Sequence, residues 1–215
     1  LKRGEFVMIH DSDGRENEID MVVAAELITP EHIVRMRKHA GGLICLAIDN
    51  MLAEKLQLKY MHNMLSLSSQ LDEESKKMIM GTAPYGDHPT FSISINHKQT
   101  YTGITDRDRA LTIKEMSTLY QKENPKQFFN STFKTPGHVP LLIASNGLLS
   151  SRTGHTEMSV YLTQLANLSP ITAICEMMDS ETYSALSVDK AEKYAKENAI
   201  PFIDGKELLE FSKVN

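Results

Sequence analysis

The sequence predicts an α+β fold: one mixed β-sheet with helices packed on it, an α-β-α layered single domain spanning residues 1–215. Three observations carry this. Short apolar runs of strand type intermingle with helix-type stretches along the whole chain. Several strand-type runs follow one another with no helix between them, which an all-parallel sheet does not allow. No internal repeat, low-complexity tract or linker divides the chain. With 215 residues, 41% of them hydrophobic, the chain can bury one sizeable core.

The elements follow in order. EFVMIH reads as a strand and MVVAAEL as another. Thr29–Pro30 starts a helix, a hydroxyl cap followed by proline at the first helical position. EHIVRMRKHA continues that helix and Gly41–Gly42 ends it. GLICLAI is a short apolar strand of the fully buried kind, and residues 51–58 form a second short helix. Residues 59–90 show only weak periodicity. FSISI alternates as a half-buried strand does. Thr105 caps a helix through DRDRALTIKEMSTLY. TPGH reads as a Pro-Gly turn, and VPLLIA after it as a buried strand. HTEMSVYLTQLANL places apolar residues at 158, 161, 162 and 165, a helical stripe. ITAICEMM is a strand, VDKAEKYAKENA a surface helix and PFI a last strand.

The formal net charge of −5 argues against a general nucleic-acid surface. An anionic ligand must therefore be held by a few local cations. No apolar run has transmembrane length, and LKRGEFVMIH lacks the apolar segment of a signal peptide. The two cysteines, Cys45 and Cys175, sit in apolar runs. Buried thiols fit a reducing cytoplasm, although a disulfide between them stays open.

Chemistry concentrates in four segments. The first is DSDGRENEID, residues 11–20. If residues 16–20 are extended, Glu16, Glu18 and Asp20 share a face. Carboxylates roughly 7 Å apart on one face repel, so a positive group is expected there. A divalent cation fits, since hard cations take carboxylate oxygens. Arg15 falls on the opposite face unless a turn at Asp13–Gly14 redirects it. An acidic surface loop is the plainer alternative. An EF-hand is excluded: counted from Asp11, glycine falls at position 4 and Val22 stands where the bidentate glutamate belongs. The second is SRTGHTEMSVYL, which puts Arg152, Gly154, His155 and Thr156 at a helix start. Unpaired N–H groups and the dipole there suit a phosphate, an arginine adds a charged fork, and glycine permits close approach. His155 can offer a metal an imidazole nitrogen, or simply cap the helix. TPGHVPLL supplies His138, which a turn alone would also explain. AICEMM places Glu176 in an apolar run, where a carboxylate is paired, ligated or raised in pKa, unless it turns to solvent at the strand end.

These segments, together with GGLICLAI and FSISI…TGITDRDRALTI, resemble the 3,4-dihydroxy-2-butanone 4-phosphate synthase family of riboflavin biosynthesis. The matching segments run in family order from residue 11 to about 178, while residues 59–90 match no pattern and Ile19 stands where the family often has glycine. The resemblance implies conversion of D-ribulose 5-phosphate to L-3,4-dihydroxy-2-butanone 4-phosphate and formate, with Mg2+ or Mn2+, one ion or two, stabilising an enediolate. It implies Glu16 and His155 as metal ligands, with Glu18 near a second ion. Arg15 and Asp20 would contact the sugar phosphate, and Arg152, Thr153, Gly154 and Thr156 would seat it, beside the ligands Glu16 and His155. His138 and Glu176 would transfer protons. Asp11, Cys45 and Glu157 match positions near the family's site, and Thr105 and Asp108 are weaker candidates. A homodimer with sites at the interface is implied, and the absence of a Cys-rich zinc site suggests a monofunctional chain. The rivals are a non-catalytic module binding metal and phosphate, and a metal-dependent sugar-phosphate isomerase or aldolase. His138 and Glu176 together discriminate against the binder.

Overall fold

The computed structural model describes residues 1–214. Strand β1 (Val7–His10) and strand β2 (Ile19–Ala24) form a hairpin in which His10 faces Ile19. The second strand is shorter than MVVAAEL suggests, because Ala25–Leu27 winds into a 3-10 turn. Helix α1 (Pro30–Arg35) begins at Thr29 with Pro30 in the first turn, as predicted. It continues as a π-wound turn over Met36–Ala40 and stops at Gly41, whose φ of 91° only glycine adopts readily. Then come β3 (Cys45–Ile48) and α2 (Asn50–Leu56). Two short helices the sequence did not disclose follow, α3 (Met61–Ser66) and α4 (Glu73–Ile79). Strand β4 (Phe91–His97) and helix α5 (Asp106–Ser117), capped by Thr105, agree with the reading.

The next stretch corrects it. Helix α6 (Pro125–Thr132) was not anticipated, and β5 runs Phe133–Ile143, so TPGH lies inside a strand and is no turn. Gly137 explains this: a Cβ there would come within 2.0 Å of the Ile95 backbone on β4, so the glycine permits close strand pairing rather than chain reversal. Helix α7 (His155–Leu165), β6 (Ile171–Glu176), a two-stranded ribbon of β7 (Met178–Asp179) and β8 (Ser184–Ala185), α8 (Val188–Glu197), β9 (Phe202–Asp204) and α9 (Gly205–Val214) complete the chain.

Seven strands form one sheet in the order β4-β5-β3-β6-β2-β1-β9. The β3–β5 and β1–β9 pairs are parallel and the rest antiparallel, so the sheet is mixed. Period-two alternation sorts β2 onto two cores. Ile19, Met21 and Val23 join the larger core, with Ile33 of α1, Ile113 of α5 and Ala191 of α8. Val22 joins the smaller one, with Cys45, Ile174, Met158 of α7 and Leu208 of α9. Helices thus cover both faces, the layered arrangement predicted. Both cysteines are buried and free, so the disulfide left open is not formed. No helix among the described residues is long and apolar enough to cross a membrane.

Candidate active site

Asp20 of β2 lies on the α7 side of the sheet and pairs directly with Glu176 of β6. Helix α7 starts above this sheet end, and its first residue is His155. The acidic run is not extended through residues 16–20. Residues 13–16 turn, and Asn17 takes a left-handed φ of 53°. The Asp11 carboxylate closes this turn by accepting the backbone N–H of Glu16 at 2.9 Å and of Glu18 at 3.1 Å. The single-face argument therefore fails for Glu16, and the turn brings its side chain to His155 instead. The same turn redirects Arg15, as the sequence allowed.

His155 is 5% exposed, with Nδ1 3.1 Å from Glu16 Oε2 and Nε2 3.1 Å from the Glu18 carbonyl oxygen. Both ring nitrogens face acceptors, so only the doubly protonated ring donates to both. Burial alone would lower its pKa, but the Asp20, Glu16 and Asp11 carboxylates outweigh burial and push it up to about 9. Burial likewise opposes the Glu16 charge, yet hydrogen bonds from His155 and from the Tyr85 hydroxyl, 2.6 Å away, hold Glu16 down at about 2. Asp20 is pushed up to about 8, first by burial and then by the Glu176, Glu16 and Glu18 charges. Its Oδ1 is buried without a hydrogen-bond partner among the described residues, 4.0 Å from His155 Nε2. The Glu18 carboxyl, half-buried, is raised for the same reasons. Donor atoms of Asp11, Glu16 and His155 lie within 4.8 Å of one another, the one such group among the described residues. Carboxylate oxygens with an imidazole suit a hard divalent cation. Glu18 stands outside this group.

Beside it lies a two-arginine seat. Arg15 Nη1 contacts Asp11 at 3.2 Å and Glu16 at 2.9 Å, and its guanidinium stacks over the Tyr85 ring at 4.7 Å. Arg152 Nη1 donates to Glu157 Oε2 at 2.6 Å, while Glu157 Oε1 accepts the Ser145 N–H at 2.9 Å. The two guanidiniums meet at Gly154, the residue just before α7. A Cβ there would stand 2.2 Å from Arg152 Nη1 and 2.9 Å from Arg15 Nη2, so only glycine lets both cations reach the helix start. No side chain among the described residues caps that start, which leaves first-turn N–H groups for an acceptor. Thr156 is buried and bonded to Thr90 at 3.1 Å, whereas Thr153 is exposed before the helix.

The Glu176 carboxylate accepts the Leu43 N–H at 2.8 Å and, with Glu16, Asp20, Arg152 and His155, borders a cleft of about 200 Å³. Cys45 is buried on the adjacent strand, its thiol pushed up by burial and by the Glu176 and Asp20 charges. His138 is not brought to this cleft. It is exposed on β5, two strands from Glu176 and so roughly 10 Å away across the sheet, with Nδ1 3.1 Å from Asn96. Thr105 and Asp108 serve the α5 start, where Asp108 also accepts the Gly103 N–H at 2.9 Å.

Sequence reasoning missed Tyr85 and Asp87, which fall in the stretch of weak periodicity. The signal was PYGD just before FSISI: turn residues at a strand entrance are where functional groups are often placed.

The family model for 3,4-dihydroxy-2-butanone 4-phosphate synthase matches residues 1–211. The enzyme of that name from Methanothermobacter thermautotrophicus is 45% identical over 210 residues, covering 98% of this chain and 91% of the relative. The Candida albicans synthase structure superposes with a TM-score of 0.74 at 32% identity, covering 98% of this chain and 92% of that one. A synthase structure in complex with two magnesium ions superposes at 0.79 with 28% identity, covering 100% and 93%. A match over nearly the whole length, in family and in fold, leads to one conclusion: the chain belongs to the 3,4-dihydroxy-2-butanone 4-phosphate synthase family.

Proposed function

We propose that this chain, read as one catalytic domain over residues 1–215, converts D-ribulose 5-phosphate to L-3,4-dihydroxy-2-butanone 4-phosphate and formate. The observation that carries the reading is the pairing of His155 with Glu16 directly beside two arginines that meet at a helix start. A sugar phosphate needs both, one for its oxygens and one for its phosphate.

Glu16 and His155 would hold a divalent ion, Mg2+ or Mn2+. Asp11 is the less available third donor, because two backbone N–H groups and Arg15 already occupy its oxygens. Glu18, on the same turn, is the candidate for a second ion. When bound, the metal supplies Lewis-acid polarisation of substrate oxygens. The unpartnered Asp20 Oδ1 behind His155 supports this fit, since a cationic group there would satisfy a buried carboxyl. Arg15, Arg152 and the first turn of α7 bind and orient the phosphate. Glu176, at the cleft wall with one oxygen anchored on Leu43, is placed to move a proton at the carbon skeleton. Asp20, 4.0 Å from His155 Nε2 on the wall of the same cleft, would contact the sugar phosphate from below. Cys45 and Glu157 act through packing and through Arg152.

The exposed position of His138, outside the cleft of its own chain, supports the homodimer reading, in which the site is completed across an interface. We read the enzyme as cytoplasmic, in line with its free thiols. The test is direct: formate released from ribulose 5-phosphate with added Mg2+, and lost in EDTA. Phosphate binding without formate release would favour the non-catalytic binder.

A further inference from the structure

The two arginines are held by four carboxylates of unequal standing: Glu16, which also pairs with His155, and Asp11, Glu157 and Asp87. Asp11 and Glu157 have side chains 0% exposed and are tied to the backbone as well. Asp87 is different. Its side chain is 35% exposed, and a single oxygen, Oδ2, serves both cations: 3.0 Å from Arg15 Nη2, 3.2 Å from Arg15 Nε and 3.2 Å from Arg152 Nε. The last contact is an ion pair without hydrogen-bond alignment, so the buried Arg152 Nε–H keeps no hydrogen-bond partner among the described residues. One carboxylate oxygen thus under-fills a site with more donors than it can accept from. The residue comes from a self-closed turn, in which Ala83 N–H donates to the Asp87 carbonyl at 2.8 Å and Gly86 N–H to that of Ala83 at 2.8 Å. The same turn lays the Tyr85 hydroxyl on Glu16.

We propose that the 83–87 turn is an internal occupant of the anion seat. Asp87 stands where a substrate phosphate oxygen will stand, keeps two mutually repelling guanidiniums in place, and is displaced by the incoming phosphate. A phosphate presents several oxygens in tetrahedral directions, so it reaches Arg152 Nε and the open N–H groups of α7 together, which a single carboxylate oxygen does not. The inference rests on the reading of Arg15 and Arg152 as the phosphate seat.

The test is calorimetric titration of inorganic phosphate into the full chain. Asp87→Asn, which removes the competing charge and keeps the shape, should bind phosphate about tenfold more tightly than wild type. Asp87→Ala should do the same without an amide at that position, and both should lower the KM for ribulose 5-phosphate in the formate assay. Phosphate binding no tighter than wild type in both variants overturns the internal occupant. Arg152→Ala separates the two failures. If it loses phosphate while the Asp87 variants gain nothing, only the internal occupant falls. If it binds phosphate as wild type does, the phosphate seat itself is misplaced and the proposal falls with it.

Discussion

At the scale of single residues, His155 illustrates how position sets chemistry. Its raised pKa of about 9 belongs to the metal-free ring. A cation ligated by this imidazole must first displace a proton, whereas Glu16, held at about 2, is ionised throughout. The apparent Mg2+ affinity should therefore rise from neutral pH by about tenfold per unit and level off near the His155 pKa. His155→Ala and Glu16→Gln should each abolish formate release, and the weak Mg2+ binding that remains in His155→Ala should lose this pH slope. A flat wild-type profile by calorimetry would take His155 out of the ligand set. Glu176 makes a different prediction. Glu176→Gln keeps the Leu43 hydrogen bond and the shape of the cleft but cannot exchange a proton. Ribulose 5-phosphate should bind about as before, while formate release falls by at least ~10²-fold. Weak binding with normal turnover at saturation would make Glu176 a binding group instead.

Among the elements, α7 departs most from its sequence pattern. The apolar stripe at 158, 161, 162 and 165 predicts its buried face, yet Leu165 is 43% exposed while Ser159 and Thr163 are fully buried. The helix lies so close to the sheet that small hydroxyls fit where leucines would not. Those hydroxyls find partners: Thr172 of β6 donates to Ser159 at 2.8 Å, and Thr163 donates to the Val160 carbonyl at 2.7 Å. This close seating holds the start of α7, with His155 and Gly154, against the sheet end. Ser159→Ala leaves a buried Thr172 hydroxyl unpaired and should cost about 1–2 kcal/mol in urea unfolding. Adding Thr172→Val should cost less than the two single changes summed, because the orphaned group is then gone. Strict additivity would show that the pair is not coupled.

For the molecule as a whole, the open question is assembly. His138 and Glu176 lie on strands separated by β3, and His138 is not among the residues that line the cleft holding Glu176. If the site is completed across a homodimer interface, inactive Glu16→Gln and His138→Ala chains should complement each other. Refolded together, they should recover up to about a quarter of wild-type activity, since half of randomly paired dimers are mixed and each has one intact site. Mixtures as inactive as the separate variants, or a fully active monomer in sedimentation, would contradict this.

Much of this was legible in the chain alone. Periodicity and caps marked β1, β3, β4, β6, α5 and α8, because hydrophobic alternation and capping are local properties of sequence. The motif segments named Glu16, Asp20, Arg152, His155, Thr156 and Glu176 of the cleft wall, since donor type and a glycine before a helix are also local. What needed the tertiary structure were features that arise from distant parts of the chain meeting. TPGH became strand because β4 approaches Gly137. Glu16 reached His155, 139 positions away in the chain, because Asp11 folded the acidic run into a turn. Asp87 and Tyr85 joined the site from a stretch without periodicity. Their contacts lie on partners 65 to 72 residues away, so no local pattern records them. Sequence by itself determined which groups are available, through their chemistry and local conformation. Only the packing of α7 and the 83–87 turn over the sheet end decided which of them face one another, and with what charge.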